Sequence, residues 1–171
     1  MANSTWPWVA YPAVRFGRRP DLTRLLPNLL IGEYPTPDDV AWLRVEHDVT
    51  DVVSLQDDAD LASKGLEITL LEGAYRTHAV GFHRFPVPDC DTESLAARLP
   101  QIVARLCGLH AAGGRVYVHC NAGMNRAPTV AIAYLHVHHG WSLATAQDFV
   151  KQRRHCVPYM RVLELCYPIT A

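Results

Sequence analysis

The sequence lacks the long apolar run that a membrane-spanning helix requires, because its 171 residues contain no stretch of about 18 consecutive apolar residues. It also lacks an excess of charge of one sign, since 16 Lys and Arg residues stand against 17 Asp and Glu residues. A formal net charge of −1 supplies no large release of counterions, so we expect no binding to nucleic acid or membranes through overall charge. Internal repeats and low-complexity segments are absent as well.

The marks of secretion and of a disulfide scaffold are also missing. The amino terminus has neither a basic stretch nor a continuous apolar stretch, so it does not match a signal peptide. The chain has five cysteines, which are Cys90, Cys107, Cys120, Cys156 and Cys166. They are few, irregularly spaced and without a Cys-x-x-Cys pair, which argues against a disulfide framework and a zinc site. We therefore expect a soluble cytoplasmic protein with no metal and no cofactor, in which one cysteine can do chemistry.

Length and composition predict one globular domain. A chain of 171 residues can bury a core without disulfides or metals. An apolar fraction of 49% and a charged fraction of 19% argue against disorder. Pro7, Pro12 and Pro20 would interrupt a helix near the start, so we expect residues 1–25 to be irregular and residues 26–171 to form the domain.

Apolar runs alternate with helical patterns along the rest of the chain. Short strands are predicted at residues 28–32, 51–55, 82–87 and 115–119, and helices at 36–48, 92–112, 127–139 and 158–165. Another helix is predicted to start at Ser142, with Leu143, Ala146, Phe149 and Val150 on one face. Pro100 predicts a kink or a late start in the second of these helices. Residues 58–80 mix helix and loop patterns. Strands that alternate with helices predict an α/β fold with a central, mostly parallel sheet flanked by helices.

The most informative segment runs from Val118 to Thr129 and has the sequence VHCNAGMNRAPT. It is predicted to be a buried strand, a short loop and the start of a helix, which brings the loop amides to a positive helix end. Such a loop binds anions. Gly123 lets the loop curl tightly, and Pro128 favours the first helical turn.

Two side chains in this segment suit attack on a phosphate ester. Cys120 would lie at the base of the loop, where the helix end and inward-pointing amides favour a nucleophilic thiolate. Arg126 would return across the loop, and its planar fork can hold two phosphoryl oxygens at once. Together they predict hydrolysis of phosphate monoesters through a phosphocysteine intermediate. The phosphate would be bound by Arg126 and the rest of the loop, which comprises Asn121, Ala122, Gly123, Met124 and Asn125.

The pattern strand-His-Cys-x2-Gly-x2-Arg-helix at residues 119–126 resembles the signature of the cysteine-dependent dual-specificity phosphatase superfamily. Within that superfamily the chain looks most like the plant starch-glucan phosphatases and laforin. The segments that carry this likeness are residues 27–29, 36–40, 55–58, 60–61, 120–123 and 126–128. The resemblance spans roughly residues 25 to 167 and implies a catalytic domain whose central sheet has helices on both sides.

The resemblance also implies a general acid upstream of the nucleophile. In the family this aspartate lies about thirty residues before the cysteine and six before a leucine that opens a helix. Asp89 precedes Cys120 by 31 residues and Leu95 by six, so Asp89 is implied as the acid. Asp91 stays open as the alternative, although it could instead cap the helix that begins at Thr92. His119 is expected to support the loop through hydrogen bonds.

The sequence departs from the family pattern around the loop. Ala127 stands where the superfamily usually has a Ser or Thr whose hydroxyl helps the thiolate leave, and Thr129 is an open candidate to compensate. Asn125 replaces the glycine typical of glucan phosphatases, and asparagine tolerates left-handed backbone. No Lys or Arg lies between Cys120 and Arg126, which disfavours phosphoinositides.

Positions where glucan phosphatases carry cleft aromatics hold Cys90 and Val157. Other aromatics are expected to be partly buried, namely Tyr34, Tyr75, Phe82 and Tyr159. The predicted substrate is therefore a protein phosphorylated on Tyr, Ser or Thr. A glucan phosphatase of the starch or glycogen type and a catalytically weak phosphate-binding module remain alternatives.

Several other side chains receive simpler predictions. Cys90 is an open candidate for a redox partner of Cys120, whereas Cys107, Cys156 and Cys166 are expected to be small buried apolar groups. The basic run at Lys151, Arg153 and Arg154 is predicted to be a solvated helix end. Three histidines, at residues 136, 138 and 139, are expected to mark a helix carboxyl end rather than a zinc site.

Overall fold

The computed structural model of the protein describes residue 15 and residues 17–168. Their strands form one sheet, and the strands are β1 (Leu22–Leu26), β2 (Leu29–Gly32), β3 (Asp51–Ser54), β4 (Gly81–Arg84) and β5 (Val116–His119). The order across the sheet is β1-β2-β5-β3-β4, and only β1 runs antiparallel to its neighbour. The predicted α/β fold with a mostly parallel central sheet is confirmed.

Seven α-helices surround this sheet in the part of the chain that the structure describes. They are α1 (Val40–Glu46), α2 (Asp58–Ser63), α3 (Ile68–Thr77), α4 (Thr92–Ala111), α5 (Arg126–His139), α6 (Leu143–Arg153) and α7 (Met160–Cys166). A 3-10 turn at Pro37–Asp39 leads into α1. None of these helices is long and apolar enough to cross a membrane.

The first strand is a departure from the predicted irregular amino-terminal segment. Residues Leu22–Leu26 form β1, which pairs with β2 so that Leu22 lies opposite Gly32. As an outer strand of the sheet, β1 is mostly half-buried and lacks a clear alternation of apolar and polar residues, which is why its pattern gave no signal. The prediction for residues 1–14, including Pro7 and Pro12, lies outside the described residues. The division into residues 1–25 and 26–171 stays a prediction.

The sheet buries both faces, because alternate strand residues point to opposite sides. Ile31, Val53 and Val118 belong to the core between the sheet and helices α4–α7. The residues one step before them, Leu30, Val52 and Tyr117, belong to the core on the side of α1 and α3. The near-continuous apolar runs of β2 and β5 follow from this double burial.

Of the two alternatives predicted from Pro100, the late start is wrong, because α4 begins before it, and the kink stays a prediction. The helix begins at Thr92 and continues through Pro100, with Leu95, Leu99 and Ile102 fully buried along one face. Proline has no N–H, so the carbonyl of Ala96 has no main-chain donor in the next turn. The thiol of Cys166 approaches that carbonyl at 3.5 Å and donates to it. Burial of the apolar face and this side-chain donor offset the cost of proline within the helix.

Candidate active site

The loop between β5 and α5 lies at the carboxyl edge of the sheet. His119 is the last residue of β5 and pairs with Gly32 on one side and with Ser54 on the other, so three neighbouring strands end at this level. Cys120 follows at once and is buried, with 3% of its surface exposed. Strand ends of this kind are the usual ligand-binding edge of a parallel sheet.

Every carbonyl of the loop is bound from outside. The acceptors and their donors are Asn121 O from Tyr34 N at 3.1 Å, Ala122 O and Gly123 O from Arg154 at 3.0 and 2.8 Å, Met124 O from Val157 N at 2.8 Å, and Asn125 O from Thr129 Oγ1 at 2.7 Å. Peptide N–H and C=O groups point in opposite directions, so the amides face inward. The amides of residues 121–126 donate to no group in the described part of the chain. These six amides are therefore available to an anion, as an anion cradle requires, and the assignment of the loop as a phosphate site stays a prediction.

Gly123 is required by the shape of the loop. Its φ is +66°, and a Cβ added there would lie 2.6 Å from the carbonyl carbon of Gly32 and 2.7 Å from Nη2 of Arg154. Asn125, in contrast, has a φ of −122°, so the left-handed conformation considered for it is not used. Its side chain instead donates from Nδ2 to the carbonyl of Val157 at 2.7 Å, which ties the loop to the segment before α7.

Arg126 is a buried cation whose hydrogen bonds to the described groups come from one nitrogen, Nη1. Its side chain is 2% exposed, and Nη1 donates to Asp60 Oδ2 at 2.6 Å and to the carbonyl of Val87 at 2.7 Å. Its Nε is buried with no hydrogen-bond partner in the described residues and lies 3.4 Å from Asp89 Oδ1. Burial opposes the charge, but Cys120 and Asp60 outweigh burial and raise the pKa of Arg126.

Asp60 was missed as a site residue by the sequence analysis. Its Oδ1 accepts from Asn121 Nδ2 at 2.5 Å while its Oδ2 accepts from Arg126, so one buried carboxylate holds both ends of the loop. Gln56 donates to the other side of Asn121, from Nε2 to Oδ1 at 2.8 Å. The available signal was the capping pattern Asp57-x-x-Asp60 at the start of α2, which fixes a carboxylate pointing back from the helix.

Arg154 corrects the prediction of a solvated basic run. Lys151 and Arg153 are exposed, but the Arg154 side chain is only 4% exposed. Besides its two bonds to the loop carbonyls, it donates to Thr23 Oγ1 at 3.2 Å and lies 3.3 Å from Asp21 Oδ2. The reason is that α6 ends at Arg153, so the next side chain turns under the loop instead of into solvent.

The two candidate acids occupy different environments. Asp91 caps α4, because its Oδ1 accepts from Ser94 N at 2.9 Å and its Oδ2 accepts from Ser94 Oγ at 2.6 Å. These bonds lower the pKa of Asp91. Asp89 is 53% exposed and approaches Arg126. The structure therefore brings Asp89 to the arginine of the cradle and commits Asp91 to the helix.

His119 and Thr129 bond to the loop from below and behind. The His119 ring places Nδ1 3.1 Å from the carbonyl of Cys120, and burial lowers the pKa of His119 to about 4, so the ring is neutral at pH 7. The Thr129 hydroxyl donates to Asn125 O and accepts from Tyr159 N at 2.8 Å. Since its hydrogen is already bound, Thr129 does not replace the hydroxyl that Ala127 lacks.

Few aromatic rings are free to line the cleft in the described part of the chain. Tyr34 and Tyr75 are buried, and Phe82 stacks on Tyr75 with ring centroids 4.6 Å apart. Tyr159 is half-buried beside Asp89 and Cys90, and burial followed by the charge of Cys90 raises the pKa of Tyr159. Val157 is 53% exposed, and Cys90 is an exposed free thiol.

The sequence that builds this site also matches a known protein family. The model described as "Dual specificity phosphatase, catalytic domain" matches residues 46–163, which include Cys120, Arg126, Asp89 and Asp60. The chain belongs to the dual-specificity phosphatase family. Its fold and its resemblance to cysteine-based phosphate-ester hydrolases are thereby confirmed.

Relatives of this phosphatase domain include glucan phosphatases. It is 33% identical over 141 residues to the phosphoglucan phosphatase DSP4 of Castanea sativa, an amyloplastic protein, and the match covers 81% of this chain and 37% of that protein. It is 30% identical over 146 residues to laforin of Mus musculus, covering 79% and 44% respectively. The crystal structure of human DUSP28 matches with a TM-score of 0.64 at 26% identity, over 87% of this chain and 92% of that chain. The chain spans less than half the length of the two curated relatives.

The remaining cysteines and histidines of the phosphatase domain lie away from the loop bonds described above. Burial raises the pKa of Cys107, Cys156 and Cys166, but only Cys156 is buried, so the expectation of buried groups is wrong for the half-buried Cys107 and Cys166. The histidines at 136, 138 and 139 occupy the last turn of α5. No group of three His, Cys, Asp or Glu side chains suited to a metal occurs among the residues that the structure describes.

Proposed function

We propose that this domain hydrolyses phosphate monoesters of phosphoproteins, at Tyr, Ser or Thr, through a phosphocysteine intermediate. The observation that carries the proposal is the set of inward amides over buried Cys120, closed by the free Nε of Arg126. Such a preorganised set of donors stabilises the phosphoryl oxygens most strongly in the transition state, where their charge develops.

The first step is displacement at phosphorus. The thiolate of Cys120 forms a bond to phosphorus while the ester P–O bond breaks, and Asp89 gives its proton to the leaving oxygen. The approach of Asp89 to Arg126, at 3.4 Å, and its 53% exposure support this role. Arg126 and the loop amides hold the three equatorial oxygens throughout.

The second step releases inorganic phosphate. Asp89, now a carboxylate, takes a proton from water while the water oxygen attacks phosphorus and the S–P bond breaks. Cys120 leaves as a thiolate, and the cycle closes with Asp89 protonated. No group outside the chain is needed for these two steps, so we propose activity without metal or cofactor.

A protein substrate is favoured over a glucan by the surroundings of the loop. A sugar chain needs exposed aromatic or polar platforms beside the phosphate, and the two positions next to the cleft are Cys90 and exposed Val157. Tyr34 and Tyr75 are buried, so their rings are not available to stack on a sugar. A glucan phosphatase is the second candidate, favoured by the identity with DSP4 and laforin. A weak phosphate-binding module is the third, favoured by Ala127.

We also propose a cytoplasmic location for the protein and a partner set limited to its phosphorylated substrate. One relative is amyloplastic, so a fluorescent fusion of the full chain is the direct test. Fluorescence confined to an organelle would overturn the proposed location. Nucleic acid is not proposed as a partner, because the formal net charge is −1.

Release of inorganic phosphate by the wild-type chain and by Cys120→Ser tests the function. Phosphotyrosine peptide, phosphothreonine peptide and solubilised phosphorylated amylopectin are compared side by side with a chelator present. We expect hydrolysis of peptide well above that of amylopectin, and a loss of more than about a thousandfold in Cys120→Ser with phosphopeptide binding retained. Equal or faster release from amylopectin would establish the glucan candidate, and binding without turnover would establish the module.

A further inference from the structure

A small recess adjoins the cradle on the side of β2 and α2. Its walls are Arg15, Arg18, Glu33, Tyr34 and Lys64, together with the loop residues Asn121 and Ala122. Because the last two directly follow Cys120, the recess lies next to the phosphate-binding loop. Three of the lining side chains are cationic and one is acidic.

The charges of the recess are not fully matched. Arg18 holds Glu33 through two bonds of 2.7 and 2.9 Å, and Arg15 pairs with Asp39 behind the recess. Burial of Glu33 opposes its charge, but Arg18 and the amide of Asp21 lower the pKa of Glu33, so it stays ionised. The negative charges of Glu33 and Asp39 are therefore each paired with an arginine.

Lys64 is the cation that remains. Its Nζ lies 5.6 Å from the ring centroid of Tyr34, and no ion pair joins it to an acid in the described residues. The guanidinium carbon of Arg15 also lies over the Tyr34 ring, 4.9 Å from its centroid. The main-chain N–H of Tyr34 donates to the carbonyl of Asn121 in the loop. An ammonium without an acidic partner therefore lies over a ring that is joined to the loop, and it lines the same recess as Asn121 and Ala122.

The size of the recess limits what can enter. Its volume of about 30 Å³ accommodates a group the size of a water molecule, such as one oxygen of a carboxylate or phosphate. An oxygen at the end of a substrate side group can therefore enter the recess from a substrate bound at the cradle.

We propose that Lys64, with Arg18 beside it, forms a second anion subsite that takes an acidic side group of the substrate close to the phosphorylated residue. The group is a carboxylate or a second phosphate, since both present the same anionic oxygen. This inference rests on the proposed phosphoprotein function and adds a sequence preference to it. In an extended peptide a neighbour one or two residues away lies within roughly 3 to 7 Å along the chain, which matches a site next to Asn121.

Three phosphotyrosine peptides test the subsite, identical except for neutral, glutamate or phosphothreonine residues beside the phosphotyrosine. For wild type we expect kcat/KM to be about fivefold higher with the acidic neighbours than with the neutral ones, mainly through KM. The ratio should fall to about one in Lys64→Ala and below one in Lys64→Glu. Preference for only one of the two acidic peptides supports the subsite and shows whether it takes a carboxylate or a phosphate. An equal ratio in wild type, or an unchanged ratio in Lys64→Ala, would overturn the proposal.

The chain offers a matched control because Lys64 and Lys151 are its only lysines. Lys151→Ala, on the exposed face of α6, should keep the wild-type ratio and activity. Acylation of lysines in Cys120→Ser adds a binding readout that needs no turnover: the acidic peptides should protect Lys64 from the reagent and leave Lys151 reactive. If wild type hydrolyses no peptide, the proposed function fails, yet protection of Lys64 still supports the subsite. Equal labelling with and without peptide rejects the subsite even in an active enzyme.

Discussion

The inner and outer surfaces of the Cys120–Arg126 loop each use a buried arginine, but they use it differently. Arg126, on the inner surface, uses Nη1 for its bonds to Asp60 and Val87, and its Nε lies 3.4 Å from Asp89 Oδ1 without a hydrogen-bond partner in the described residues. Arg154, on the outer surface, bonds to two loop carbonyls, Thr23 and Asp21 with all its nitrogens. A buried guanidinium with an unbonded N–H group can bind a ligand, whereas one whose nitrogens are all bonded to the protein stabilises the fold.

The sharpest test of this contrast is Arg126→Lys. Lysine keeps a charge for Asp60 but cannot form the fork that holds two phosphoryl oxygens. We expect kcat to fall by about a thousandfold while the thermal midpoint changes little. Steady-state kinetics with a phosphotyrosine peptide and a melting curve measure both. A large loss of stability with modest loss of kcat would place Arg126 with Arg154 as a structural residue.

The second test concerns the acid on the inner side. Asp89→Asn should lower kcat by about a hundredfold for a phosphothreonine peptide, because its alkoxide leaving group needs a proton. An aryl phosphate with a good leaving group should lose much less. Asp91→Ala is the comparison: it should lower the thermal midpoint slightly through the lost cap of α4 and leave kcat nearly intact. The reverse pattern would assign the acid to Asp91.

The outer surface is tested by Arg154→Leu. The change leaves the carbonyls of Ala122 and Gly123 without donors, so both stability and catalysis should suffer. We expect a loss of about 2–4 kcal/mol in the free energy of unfolding and about tenfold in kcat, with KM for peptide also raised. Arg153→Leu, at the exposed neighbour, is the control and should resemble wild type. Loss of kcat without any loss of stability would contradict the assigned role.

The last test, at His119 beneath the loop, concerns the pH dependence of stability and not turnover. Its folded pKa of about 4 is below the ordinary value of 6.5, so the neutral ring is favoured in the folded state. Stability is complete above pH 6.5 and is lost as pH falls toward 4, by up to about 3 kcal/mol. His119→Gln removes this contribution, and the thermal midpoint should then depend less steeply on pH between 6.5 and 4. An unchanged slope would show that other groups carry the acid sensitivity.

The sequence could predict the inner surface because its contacts are local. Cys120, Gly123 and Arg126 lie within seven consecutive residues, and a strand, a loop and a helix start constrain them together. The α/β architecture was predictable for a similar reason, since apolar runs and helical spacing are both read over short windows.

The bonds that hold the loop from other parts of the fold could not be predicted, because they join residues far apart in the chain. Asp60 lies 66 residues before Arg126, and Arg154 lies 31 residues after Gly123. Local patterns assign the first to a helix cap and the second to a charged helix end, and both assignments ignore what the fold brings near them. β1 was missed for a related reason, since a half-buried outer strand is specified by its partner β2 more than by its own residues.

The engaged hydroxyl of Thr129 has a kinetic consequence. Its hydrogen is held by Asn125 O, and Ala127 has none to offer, so the departing sulfur of the proposed intermediate receives no hydroxyl donor from the start of α5. Formation of the S–P bond does not need that donor, but its breakage does benefit from one. The phosphocysteine intermediate should therefore break down more slowly than it forms. Rapid mixing with an aryl phosphate should then release a burst of alcohol before the slower, steady release of phosphate.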